Sequence, residues 1–311
     1  MLDILLTILP IYILALLGYA SVRLGYVAPD VIRGLSQFTL KVCLPALIVF
    51  AIAIPRDEAG LNLALFAAYA LGSLATLVLG FTAMRLLMRR PAVESWLLAF
   101  GMSNSNSGFI GFPVASVVSG AKGAVVFAMT MVVENMILFP LVTIAAGVAS
   151  GSGAGVGALL RNSFGRILRN PVVLSVVPAV AIRLSGVHLG APVERAVQGL
   201  AMAASPLALF VIGGTMAGLS AGGQWRRSGA VAFGKLVVHP LAVTAALLLI
   251  PGVPVDLIPV AILFASVSML TIYPLVAGTY GLTEVATTAT VITTLIGSGT
   301  VLVVLALLHG M

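Results

Sequence analysis

Apolar runs separated by short polar or Gly/Pro-rich punctuation fill almost the whole chain, near residues 4–22, 31–54, 61–88, 93–119, 123–149, 171–187, 193–219, 229–250, 257–281 and 284–308. A helix needs about 20 residues to cross a hydrocarbon core of about 30 Å. The pattern therefore predicts an all-α polytopic membrane protein with ten transmembrane helices. Two of the runs are interrupted at mid-membrane depth. The fourth carries Ser103-Asn104-Ser105-Asn106-Ser107-Gly108-Phe109-Ile110-Gly111-Phe112-Pro113, and the ninth carries Ser266-Val267-Ser268-Met269-Leu270-Thr271-Ile272-Tyr273-Pro274. Consecutive Ser and Asn residues are costly against lipid, and the glycines and proline that follow them disfavour a continuous helix. Both runs are expected to be helix, break and returning helix. Pro113 and Pro274 would sit in the first turn of the returning half, where a missing N–H does no harm.

Displacing the second half by 161 residues brings prolines into register: Pro10 with Pro171, Pro45 with Pro206, Pro113 with Pro274. Gly25/Gly186, Gln37/Gln198, Ser105/Ser266, Ser107/Ser268 and Gly120/Gly281 share the offset. The chain is thus expected to hold a first five-helix repeat over 1–149 and a second over 171–311. The segment 150–170, opening on Ser150-Gly151-Ser152-Gly153-Ala154-Gly155 and carrying Arg161, Arg166 and Arg169, reads as a cytoplasmic linker. Five spans is an odd number, so the second copy would enter the membrane from the opposite side. Inverted repeats are a transporter architecture, with the substrate site at the repeat interface near the midplane.

Composition sharpens this. Of 311 residues, 60% are hydrophobic and 8% charged, against about 25% charged in soluble proteins, and the mean hydropathy is +1.19. A soluble enzyme, a disordered chain and a disulfide scaffold are excluded. With the N-terminus outside, the inner loops hold Arg23, Arg33, Arg85, Arg89, Arg90, Arg161, Arg166, Arg169, Arg226 and Arg227, while the outer loops hold Arg56, Lys122, Arg183 and Arg195. That bias predicts both termini on the non-cytoplasmic side. The net charge of +7 is a topology signal and not a nucleic-acid footprint. The first span lacks a basic n-region and is expected to be a retained helix. Cys43 is the only cysteine, so no intrachain disulfide forms. No metal or cofactor site and no nucleophile–base pair is predicted.

Lys41, Glu134, Lys235 and His239 are the ionisable residues well inside spans, where function is the default hypothesis. Glu134, beside Asn135, is the candidate for proton coupling. Lys235 would neutralise an anionic substrate or pair with Glu134, Lys41 would flank the cavity, and His239 would bridge helices. At the breaks, helix N-termini favour an anion, with Ser103, Asn104, Ser105, Asn106, Ser266, Ser268, Thr271 and Tyr273 as hydrogen-bonding contacts and Gly108, Gly111, Pro113 and Pro274 as shapers.

The Leu44-Pro45-Ala46-Leu47 stretch, the Asn104 to Pro113 motif and Lys235-Leu236-Val237-Val238-His239-Pro240 together resemble the auxin efflux carrier family. That family includes bacterial permeases for malonate and related acids and the plant PIN-formed carriers. The resemblance covers essentially the whole chain. It implies the fold shared with bile acid:sodium symporters, in which spans four and nine cross at their breaks. It also implies a scaffold of spans 1, 2, 6 and 7, pairing as a homodimer, beside a transport domain of spans 3–5 and 8–10 that moves as an elevator. The implied activity is secondary transport of a small organic anion across a bacterial inner membrane, coupled to protons or sodium. By the same resemblance, Asn104, Asn106, Gly108, Gly111 and Pro113 contact or shape the substrate site. The ninth span departs from the family pattern, with Ser268, Leu270 and Thr271 where an Asn is common. A channel and a ligand-sensing receptor on the same framework are the alternative readings.

Overall fold

The computed structural model describes residues 2–53, 62–151, 157–158, 161, 164–165, 168–187, 189–218 and 224–309. Most of the Gly/Ser-rich part of the 150–170 linker, with Arg166, lies outside the described residues, as does Arg56. Among the described residues the regular elements are helices, and the one strand-like feature is an isolated antiparallel bridge between Ser105 and Met269. Pro29–Ala53, Leu63–Leu87, Lys122–Ala149, Ala191–Ala217 and Trp225–Leu249 are long and apolar enough to cross a membrane. Leu9–Arg23, Ser107–Ser119, Pro171–Ser185 and Val255–Ser266 are shorter apolar helices.

Several long helices contain one wide turn in which the backbone bonds run from residue i to i+5. Such turns occupy Thr39–Cys43, Ala83–Leu87, Ser107–Gly111, Val133–Leu138 and Gly234–Val238. Four of them end two residues before a proline: Pro45, Pro113, Pro140 and Pro240. The cause is steric. A proline ring clashes with the carbonyl four residues earlier and has no N–H to bond it, and widening the turn removes that conflict. The N–H just before the proline then reaches one residue further back, as from Leu44 to Thr39, Phe139 to Glu134 and His239 to Gly234. Pro10, Pro178 and Pro206 lie inside helices that have no such turn.

The chain divides into two compact units, Met1–Asn62 with Ser107–Met131 and Arg169–Leu219, and Leu63–Asn106 with Val132–Leu168 and Ser220–Met311. In the first, α1 (Leu2–Arg23), α2 (Pro29–Phe38) and α3 (Leu44–Ala53) pack on one long helix, Ala191–Ala217, and α3 also packs on Pro171–Ser185. Small residues set the approach of α1 to the long helix: a Cβ on Gly18 would run into the Phe210 carbonyl, and one on Gly213 into that of Ala15. Phe109, from the wide turn 107–111, completes a core with Ile32, Ala208, Val211 and Ile212.

In the second unit, α4 (Leu63–Thr82) packs on α5 (Ala92–Ser103) and on the helix His239–Leu249, and Thr283–His309 packs on Trp225–Phe233 and Tyr273–Gly278. Gly72 admits the Val243 backbone, and Gly101 makes room for the Tyr273 ring. The stretches expected to be interrupted are each two helices joined by extended residues. Ala92–Ser103 gives way at Asn104 (φ −112°, ψ 132°), and Ile258–Ser266 gives way at Val267 (φ −70°, ψ 164°). Pro274 stands in the first turn of its returning helix, whereas Pro113 lies inside Ser107–Ser119, whose first turn is the wide one at 107–111 that accommodates it. The second returning helix is only six residues long.

Candidate functional site

Ser and Asn side chains compete with the backbone for hydrogen bonds and so favour leaving the helix. Once extended inside an apolar environment, the freed backbone groups need partners. The two breaks of the second unit supply them to each other. Ser105 and Met269 form the bridge, the Asn106 N–H donates to the Ser268 carbonyl at 2.9 Å, and Asn106 Nδ2 donates to Thr271 Oγ1 at 2.6 Å.

Around this junction several polar groups are buried with no hydrogen-bond partner among the described residues: both side-chain atoms of Asn104, Asn106 Oδ1 and Ser268 Oγ, with the Tyr273 hydroxyl likewise unpartnered against Gly101 in the helix that leads to Asn104. Their residues are at most 2% exposed. Leaving such a group unsatisfied costs about 1–3 kcal/mol, so a cluster of them is a strong departure from ordinary packing. Together they offer amide and hydroxyl donors, which suit an anion. Ser103 and Ser266, in contrast, are turned back on their own helices, bonding the Phe100 and Ile262 carbonyls.

A second set of buried groups adjoins Ser105. Lys235 is fully buried, and its ammonium reaches Ser105 Oγ at 2.7 Å, the Ala265 carbonyl at 2.7 Å and His239 Nδ1 at 2.8 Å. In the tautomer with Nδ1 unprotonated these three acceptors match its three N–H donors; the same Nδ1 lies 3.2 Å from the Ala265 carbonyl, to which it donates in the other tautomer. Ala265 is available because its helix ends at Ser266, leaving the last carbonyls without partners. Lys235 thus caps the negative end of a half-helix. With His239 Nδ1 accepting from Lys235, its Nε2–H donates to Ser73 Oγ, 3.0 Å away. On the other side the Tyr69 hydroxyl lies 3.5 Å from Ser105 Oγ and donates to Glu134 Oε1 at 3.2 Å. Lys235, Ser105, Tyr69 and Glu134 therefore form one continuous buried chain from ammonium to carboxyl.

Of the residues picked from sequence, the second unit brings together Asn104, Ser105, Asn106, Ser268, Thr271, Tyr273, Lys235 and Glu134, with Asn135 half-buried in the same wide turn as Glu134 and Pro274 next to Tyr273. Gly108, Gly111, Pro113 and Lys41 belong to the first unit, where the Lys41 side chain is exposed and Gly108 packs against Leu44. Tyr69 and Ser73 were not singled out by sequence reasoning. The signal was there: Tyr69, Ser73 and Thr76, at spacings of four and three, share one face of a largely apolar helix.

The family model described as membrane transport protein matches residues 3–152 and 156–306. A curated relative from Rhizobium meliloti (strain 1021), described as "Putative malonate transporter", is 29% identical over 297 residues, which cover 94% of this chain and 92% of that protein.

Proposed function

The chain belongs to the membrane transport protein family, the auxin efflux carrier type, and we propose that it carries a small carboxylate anion across the bilayer by alternating access. It is an integral membrane transporter and not an enzyme. The observation that carries the substrate class is the group of buried, unpartnered donors on Asn104, Ser268 and Tyr273 beside the two breaks. The relative described as a malonate transporter supports a short dicarboxylate, and malonate is the first substrate to test.

The architecture we propose is ten spans in two inverted five-helix repeats. Beyond the prolines, two glycine pairs at the 161-residue offset support the repeat: Gly25 and Gly186 have φ of 77° and 66°, and Gly120 and Gly281 have 54° and 78°. Glycine is favoured at such positions because a Cβ is strained there. The arginine distribution supports termini on the non-cytoplasmic side of a bacterial inner membrane. An elevator motion is supported by the confinement of the buried charges Glu134 and Lys235 to one compact unit.

We propose the proton as the coupling ion, with Glu134 as its carrier. Tyr69 has one O–H. With Glu134 ionised, Tyr69 donates to it and Ser105 is free to donate to Tyr69; with Glu134 protonated, the carboxyl donates to Tyr69, which turns its own hydrogen to Ser105. Protonation therefore reorients the Ser105 hydroxyl, next to Asn104 and Asn106. Glu134→Gln keeps the acceptor for Tyr69 and removes the exchangeable proton. In proteoliposomes this variant should exchange malonate at near the parental rate while losing pH-driven accumulation. Continued accumulation by the Gln variant under a pH gradient would refute coupling at Glu134, and absence of malonate exchange by the parent protein would refute the substrate.

A further inference from the structure

Five of the inner-loop arginines converge at one end of the second unit. A cavity of about 410 Å³ is lined by Leu87, Met88, Arg89, Arg90, Gln224, Arg226 and Arg227. It lies where two candidate spans end, Leu63–Leu87 at its C-terminus and Trp225–Leu249 at its N-terminus. Glu94 ties two of its arginines together, at 3.4 Å from Arg227 and 3.9 Å from Arg90, and Arg85 donates to the Arg90 carbonyl. Arg89 and Arg226 have no carboxylate within ion-pair distance among the described residues. Four guanidinium groups around one cavity, with one acid behind them, repel one another until an anion enters.

Topology asks only that arginines lie in inner loops; it does not ask two distant loops to meet, nor does it explain Arg89. That residue has φ +52°, the one positive value among described residues other than glycine. It follows the wide turn Ala83–Leu87, at a helix end where glycine is the usual choice. An arginine held in a conformation that disfavours it points to use of its side chain. The surroundings are amphipathic: Leu87 is 82% and Trp225 58% exposed, and Trp is typical of the membrane–water interface.

We propose that this cavity binds a phosphate group, and that its source is the headgroup of an anionic phospholipid of the cytoplasmic leaflet. Arginine forks match phosphate oxygens in pairs, the lining Leu87, with exposed Trp225 between lining residues Gln224 and Arg226 in the chain, suits the glycerol and first acyl carbons, and basic pockets at this depth recognise such headgroups.

The test uses the full-length protein in neutral detergent, its thermal unfolding followed with phosphatidylglycerol, phosphatidylcholine or inorganic phosphate. Phosphatidylglycerol should raise the midpoint by about 3 °C over phosphatidylcholine, and Arg89→Gly with Arg226→Gln should abolish the difference. Arg89→Gly alone relaxes the backbone, so its lipid-free midpoint should hold or rise while the lipid effect shrinks; this separates lost binding from lost folding. An equal, arginine-dependent shift with inorganic phosphate would keep the phosphate site and assign it to a soluble ligand. Equal effects of the two lipids without any phosphate effect, or a phosphatidylglycerol effect unchanged in the double variant, would overturn the proposal.

Discussion

Asn104 and Asn106 stand two positions apart in the same extended stretch, yet the structure gives them different work. The Asn106 amide joins the two breaks through Thr271, whereas both polar atoms of Asn104 are buried without a partner among the described residues. Removing a hydrogen-bonded buried group costs about 1 kcal/mol, while removing one that has no partner relieves a desolvation penalty. Asn106→Ala should therefore lower the unfolding free energy by about 1 kcal/mol, and Asn104→Ala should leave it unchanged or raise it. The order reverses for ligand: Asn104→Ala should weaken malonate binding about tenfold, or 1.4 kcal/mol. Unfolding in detergent with and without malonate reads both quantities. If Asn104→Ala destabilised the free protein as much as Asn106→Ala, Asn104 would be a packing residue. The sequence marked both asparagines as equivalent contacts, because spacing within one break cannot reveal which amide the other break occupies.

At the scale of elements, the wide turns account for where the candidate chemistry stands. Glu134 and Lys235 both lie at the second position of such turns, which run directly into the α-helices that begin Phe139-Pro140 and His239-Pro240. One extra residue per turn rotates what precedes it by about 100°, which decides whether Lys235 meets the Ala265 carbonyl. Pro240→Ala restores an N–H and lifts the clash, letting the turn close into α-helical bonds. The variant should insert and fold with stability within about 1 kcal/mol of the parent, yet lose most pH-driven uptake, with the loss measured in proteoliposomes against equal protein. Undiminished uptake would show that the wide turn has no part in placing Lys235. Interruptions at 104–106 and 267–272 were legible because Ser, Asn, Gly and Pro each act locally on the backbone. The wide turns were not, since Pro10, Pro178 and Pro206 sit in helices without them. Nor is a proline required, since Ala83–Leu87 forms a wide turn without one two residues on. Tyr69 as the Glu134 partner was beyond reach because its helix is 65 positions away in sequence.

For the whole molecule, the reading as a carrier stands apart from a channel or a sensor in one respect: the site must face each side of the membrane in turn. The chain is suited to testing this, because its single cysteine, Cys43, is buried in the first unit. In a Cys43→Ala background, Ser268→Cys replaces an unpartnered buried hydroxyl with a thiol of similar size, at the break of the second unit. Ser175→Cys, at a buried serine of the first unit, serves as the control. Alternating access predicts that Ser268→Cys reacts with a membrane-impermeant maleimide from either side, and that malonate on one side shifts the ratio of the two rates, since a ligand favours the state it binds better. The control should show no such dependence. An open pore would instead label from both sides at rates indifferent to the malonate gradient, and a receptor would label from one side whatever the gradient. Either result would exclude alternating access while leaving the binding role of the break intact, so exchange and labelling measured on the same vesicles separate the site from the motion.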